Sequence, residues 1–155
     1  MQKSKHAFTM IELVFVIVVL GILAAVAVPK FAATRVDAQI SKGRSDVAAI
    51  RSAIINERQS RLIRGQNSYI PTGTGTYEVD GTVYKQIDNG GLFGGLLTYP
   101  ISPSTENGHW SAGASTAATA TYNYKIENAN NTFTYTVSDG TFNCTAGEYC
   151  SELSQ

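Results

Sequence analysis

Four groups of side chains in this sequence have types and spacings suited to chemistry: a lone carboxylate, Glu12, at the head of a long apolar run; Arg44, Arg51 and Arg58; a cysteine pair, Cys144 and Cys150; and two isolated histidines, His6 and His109. In a chain with an export signal, two cysteines this close together read as a disulfide closing a small loop in an oxidising space outside the cytoplasm. Two free thiols are the alternative. Two cysteines and two distant histidines do not make a zinc-type ligand set, so no metal or other cofactor is expected. The three arginines recur every seven residues, which on a helix places them in one row. Such a row suits either nucleic-acid phosphates or the acidic surface of a protein neighbour, and its place beside a packed face favours the protein contact. No nucleophile–base pair or phosphate-binding glycine motif is visible, which argues for a structural role and against an enzyme.

Glu12 gains its interest from what surrounds it. Residues 13–28 are apolar without a break, and with residues 8–11 they make a helix of about 30 Å, enough to cross a bilayer core. A carboxylate within such a segment costs about 2.5–3.5 kcal/mol on insertion scales, so it normally has a partner or a task. Two plainer readings compete. Glu12 could sit at the interface and reach water, or the run could be a secretory signal peptide cut within the Ala24-Ala25-Val26-Ala27 stretch. Against a signal peptide, the run continues into a second long helical pattern with no turn between them.

The string KHAFTMIELVFVIVVLGILAAVAVPKF resembles the N-terminal signature of type IV pilins and type II secretion pseudopilins. Thr9, Glu12 and Leu13 match that pattern, and Gly21 and Pro29 fall where the family often has helix-softening residues. The resemblance implies a leader of residues 1–7, removed by a prepilin peptidase between Ala7 and Phe8, where the family usually has Gly before the cut. It also implies methylation of the new Phe8 amine. Glu12 then becomes the fifth residue of the mature chain, four residues from an ammonium. In an assembling filament the Phe8 amine of an incoming copy can pair with Glu12 of its neighbour and favour one register. Some heads of this family bind calcium, but no compact Asp/Asn series like an EF-hand loop is present here.

These groups must be positioned by a long stem and a head. After Pro29, Val36, Ile40, Val47, Ile50 and Ile54 recur at helical spacing and form one apolar stripe. Gly43 weakens the middle of this helix and Gly65 is a natural stop. Residues 8–64 are therefore expected as one helix of roughly 85 Å, kinked at Pro29, with Glu57 and Arg61 paired at i,i+4. From Gln66 onward the composition turns to Gly, Thr, Ser, Asn and Tyr. Residues 76–85 read as a hairpin around Asp80-Gly81. Residues 88–115 read as a long loop that Trp110 anchors. Residues 119–127 and 132–138 alternate as strands, with a turn at 128–131 between them. Asp139-Gly140 then turns the chain into 141–144. The predicted fold is α+β: a transmembrane and amphipathic N-terminal helix packed on a small antiparallel sheet, as in pilins. Its domains are the leader 1–7, membrane helix 8–29, stem 30–65 and head 66–155.

Charge follows the same division. The 155-residue chain balances 12 Lys/Arg against 12 Asp/Glu, yet residues 1–7 and 30–64 are basic and the chain from Gly65 onward is acidic. The expected function is a structural filament subunit, pilin or pseudopilin, anchored once in the inner membrane with its head in the periplasm and serving protein secretion or DNA uptake. The implied partners are further copies of itself, the peptidase, an inner-membrane assembly platform with its ATPase, and other minor pseudopilins. Nucleic acid is a lesser expectation resting on the arginine row. The competing function is a single-span anchored binding or sensor protein, which predicts an intact N-terminus and no self-assembly.

Overall fold

The computed structural model describes residues 8–79 and 81–155. The leader, including Ala7, and Asp80 of the expected hairpin turn lie outside the described residues. The chain divides into two compact units, Met1–Asp37 and Ala38–Gln155.

One helix, α1 (Met10–Ile63), contributes to both units. Its helical assignment runs through Pro29, although proline cannot donate the bond that the turn calls for there. In the first unit, the segment Met10–Val28 has a mean hydropathy of 3.0 and is 0% buried within the chain. It is long and apolar enough to cross a membrane, and lipid would supply the cover its side chains lack. Glu12 is its sole charged residue.

In the second unit, α1 continues with Val47, Ile50 and Ile54 buried, the inward stripe expected from the spacing. Two short strands, β1 (Thr76–Val79) and β2 (Thr82–Lys85), pair as the expected hairpin. A second sheet holds β3 (Trp110–Ser115), β4 (Thr119–Ile126), β5 (Ala129–Thr136) and β6 (Thr141–Ala146). It is a meander of antiparallel neighbours in the order β3-β4-β5-β6. Strict alternation along β4 sends Ala120, Tyr122, Tyr124 and Ile126 inward, joined by Phe133, Tyr135 and Phe142 from β5 and β6. Threonines and asparagines occupy the other face. The inner face meets α1: Tyr124 Oη donates to the Gln39 carbonyl at 2.7 Å, and Trp110 Nε1 donates to Asp46 Oδ2 at 2.9 Å.

Four details depart from the sequence reading. Residues 110–115 form the edge strand β3 and are not loop. The small residues after Trp110 hide the strand pattern, and the register shifts between Ala112 and Ser115. The β4–β5 turn falls at Glu127 and Asn128, both at positive φ (46° and 70°), so that Ile126 pairs with Ala129. Asn131, which looked like a turn residue, is buried: its Nδ2 donates to the Tyr124 carbonyl and its Oδ1 accepts the Tyr149 N–H. A short C-terminal helix, α2 (Cys150–Leu153), was not anticipated.

The long loop between the two sheets folds inward around Phe93, which is 0% exposed at φ 58°. Its ring lies 4.3 Å from that of Tyr122 and edge-on to Trp110 and Phe142. Asp88 clamps it, with Oδ1 accepting the Phe93 N–H at 2.9 Å and Oδ2 accepting the Tyr122 hydroxyl at 2.8 Å. Each of these rings buries a large apolar area, so the cluster is a major part of the head's core, alongside Ile50, Ile70, Ile87 and Ile126.

Candidate functional site

The start of α1 is built by Thr9, which immediately precedes the first helical residue. Its N–H and its hydroxyl both donate to Glu12 Oε2, at 2.8 and 2.7 Å, and the Glu12 N–H donates back to Thr9 Oγ1 at 3.3 Å. The Thr9 carbonyl accepts the Leu13 N–H. This is a capping box, in which a threonine and a glutamate three residues later satisfy each other's backbone donors. The spacing Thr-x-x-Glu before an apolar run is a readable signal for it, and sequence reasoning passed over it to ask what cation Glu12 needed. The carboxylate is thus oriented toward the N-terminal end of the helix, one turn from Phe8, whose side chain is exposed.

The arginine row meets its own chain. Arg44 Nε donates to the Glu152 carbonyl, and Arg51 Nε to the Phe142 carbonyl at 3.0 Å. Arg58 Nη1 reaches the Gln66 and Ser68 carbonyls at 3.2 and 3.3 Å, while its guanidinium lies 4.7 Å above the Tyr69 ring. A seven-residue period reveals that three cations share a side. It carries no information about backbone carbonyls as their acceptors.

The disulfide joins Cys144 of β6 to Cys150 at the start of α2, with Cα atoms 5.5 Å apart. This closes the loop that carries Tyr149, whose N–H is the one received by Asn131. Leu153 of α2 is buried, and its side chain reaches Gly43 of α1. The expected Glu57–Arg61 pair is present at 3.0 Å, with Arg61 fully buried and its Nη1 donating to the Tyr77 hydroxyl. Among the described residues there is no group of three or more His, Cys, Asp or Glu that could hold a metal ion. His109 is exposed.

The family model described as the prokaryotic N-terminal methylation motif matches residues 2–28. The chain is similar to a probable minor fimbrial protein of Dichelobacter nodosus, 27% identical over 125 residues, covering 79% of this chain and 73% of that protein. It is similar to a fimbrial protein of Pseudomonas aeruginosa, 30% identical over 93 residues, covering 58% of this chain and 57% of that protein. It is also similar to the type II secretion system core protein G of Vibrio cholerae, 27% identical over 106 residues, covering 68% and 58%. The chain spans a little over half the length of the last two. No solved structure matches it. Residues 2–28 carry a prepilin-type N-terminal methylation motif, and the chain as a whole is similar to fimbrial proteins and to a type II secretion core protein.

Proposed function

We propose that this chain is a structural subunit of a type IV pilus-like or type II secretion filament, processed before Phe8 and assembled from the inner membrane. The observation that carries the proposal is Glu12, a single carboxylate held by Thr9 at the N-terminal end of an otherwise apolar span. Its task is to receive the Phe8 amine of an incoming copy once the leader 1–7 is removed and that amine methylated. The penalty for an unpaired intramembrane carboxylate, about 2.5–3.5 kcal/mol, then favours the docked register. Residues 8–29 serve as the membrane helix, 30–65 as the stem and 66–155 as the periplasmic head. The working partners are the prepilin peptidase, the assembly platform with its ATPase, other minor pseudopilins and further copies of the chain. The fimbrial and secretion-system relatives support this reading, and the filament serves protein secretion or DNA uptake.

The test is Glu12→Ala followed in membranes and in sheared filaments. The variant is expected to insert normally and to be missing from filaments; normal filament yield overturns the assembly role. Intact mass of the wild-type N-terminus separates the filament subunit from an anchored sensor, since a methylated Phe8 fits only the former. Natural transformation in a deletion strain then distinguishes DNA uptake from secretion.

A further inference from the structure

Asparagine followed by glycine is chemically labile, because the glycine nitrogen can attack the side-chain amide and no Cβ at the glycine hinders ring closure. The chain holds two such pairs, Asn89-Gly90 and Asn107-Gly108. The fold treats them differently. At Asn107-Gly108 both reacting groups are held. Gly108 is buried, its N–H donates to the Lys125 carbonyl at 2.7 Å, and its own carbonyl accepts Lys42 Nζ. Asn107 Oδ1 accepts the Asn128 N–H at 3.0 Å. Attack at this pair must give up a short backbone bond and the side-chain tie together.

Asn89-Gly90 lies in the loop that follows β2. Gly90 is exposed at φ 78°, and its N–H has no hydrogen-bond partner among the described residues. The peptide joining Asn89 to Gly90 is the central one of a turn closed by the Gly91 N–H on the Asp88 carbonyl at 3.2 Å. That bond is long, and the central peptide of a turn makes no bond of its own, so this plane can rotate at small cost. The Asn89 side chain keeps one tie, from Nδ2 to the Gly75 carbonyl at 3.1 Å, and it shares that acceptor with the Gln86 N–H at 3.0 Å. Attack at this pair gives up only that shared contact.

We infer that Asn89 is a site of spontaneous deamidation in the folded head, and that the fold protects Asn107 from the same reaction. The Gly90 nitrogen forms a bond to Asn89 Cγ, the Cγ–Nδ2 bond breaks, and Nδ2 leaves as ammonia with the proton from Gly90. Water then opens the cyclic imide at one or other carbonyl, leaving aspartate or isoaspartate. No electrons are transferred, and water is the sole co-reactant. Each conversion adds one negative charge to a chain whose Lys/Arg and Asp/Glu balance at 12 each. It also sets an acceptor where the Gly75 carbonyl had a donor. The new carboxylate is next in sequence to Asp88, which holds the Phe93 N–H and the Tyr122 hydroxyl. An older head is therefore looser at the base of the hairpin and at the clamp on Phe93. The inference stands apart from the filament proposal, because it concerns the head whether or not the chain assembles.

The full chain in detergent micelles is incubated at mildly alkaline pH, folded or in urea, and sampled over days. Peptide mass mapping then separates asparagine, aspartate and isoaspartate at each position. In the folded chain Asn89 is expected to convert at least about tenfold faster than Asn107, and in urea the two rates are expected to converge. Amide exchange at Gln86 and Phe93 is expected to rise as the product accumulates, and to stay constant over the same period in Asn89→Gln, whose longer side chain closes the ring far more slowly. Retention of Asn89 in the folded chain overturns the site, whatever happens in urea. Conversion of Asn107 at the same rate in the folded chain overturns the protection and leaves only the dipeptide. Unchanged exchange at Phe93 in fully converted chain overturns the loosened clamp.

Discussion

Gly43 of α1 lies against the ring of Tyr124 in β4: a Cβ at position 43 would come within 2.6 Å of Tyr124 Cε1 and of Leu153 Cδ2. Glycine is there because helix, sheet and C-terminal segment meet at one point. The Tyr124 ring is 4.9 Å from that of Trp110 and its hydroxyl is tied to the Gln39 carbonyl, so it cannot retreat freely.

Gly43→Ala is therefore expected to destabilise the head, although alanine favours a helix interior by about 1 kcal/mol. Overpacking of a filled contact typically costs about 1–3 kcal/mol, which outweighs that gain. Thermal unfolding followed by near-ultraviolet circular dichroism reads the balance, since Trp110 and Tyr124 both report on this contact. A higher Tm in the variant would show that helix propensity dominates at this position.

Asp88 makes stability depend on pH in an unusual direction. Burial raises its pKa above the ordinary carboxylate range, and the Phe93 N–H and Tyr122 hydroxyl only partly oppose that rise. A raised folded-state pKa means that the folded chain binds the proton more tightly than the unfolded chain. The contribution of Asp88 to stability therefore grows as pH falls through its folded pKa, is complete below the unfolded value of about 3.9, and is lost again as pH rises. Asp139 behaves oppositely. The Thr141 N–H and hydroxyl hold its pKa low, so its contribution is present above the ordinary value and lost on acidification. Urea unfolding at neutral and mildly acidic pH is expected to show Asp88→Asn losing stability on acidification faster than the parent chain, and Asp139→Asn losing it more slowly. Parallel profiles in all three proteins would remove both assignments.

What the sequence reveals here is what periodicity and turn chemistry can encode. The run at 13–28, the stripe through Val47, Ile50 and Ile54, and the alternation of Tyr122, Tyr124 and Ile126 all state which side is buried, because a helix and a strand each repeat their faces. The edge strand β3 is not legible, because Ala112, Gly113 and Ala114 carry no alternation and its partner lies further along the chain. Asn131 misleads for a related reason. An asparagine in an Asn-rich stretch suggests a turn, and only the fold reveals that its amide is needed inside to join the Tyr124 carbonyl to the Tyr149 N–H. At the N-terminus, Thr9 and Glu12 were both visible as family-matching residues. Their direct bonds follow from the capping geometry, a local rule available from spacing alone.

Arg51 offers the sharpest separation between an internal and an external use of the basic row. In the folded chain its Nε donates to the Phe142 carbonyl at 3.0 Å, and its Nη1 lies 3.5 Å from the Ser154 carbonyl, so the side chain fastens α1 to β6. The Phe142 side chain is buried in the aromatic cluster and its ring stacks 5.2 Å from Phe133, so loss of the guanidinium is felt in the core. Hydrogen bonds from charged donors contribute about 1.5–3 kcal/mol each, and a half-buried one falls toward the lower end. Arg51→Gln is accordingly expected to lower unfolding free energy by about 1–2 kcal/mol, with Arg44→Gln costing less at its more exposed position. Equilibrium urea unfolding in detergent measures this. A row reserved for phosphates or a neighbouring subunit predicts the reverse pattern: unchanged stability of the single chain, with loss only in transformation frequency or filament yield. If Arg51→Gln matches the parent in unfolding and fails in either cellular assay, the carbonyl contacts are incidental and the row belongs to a partner.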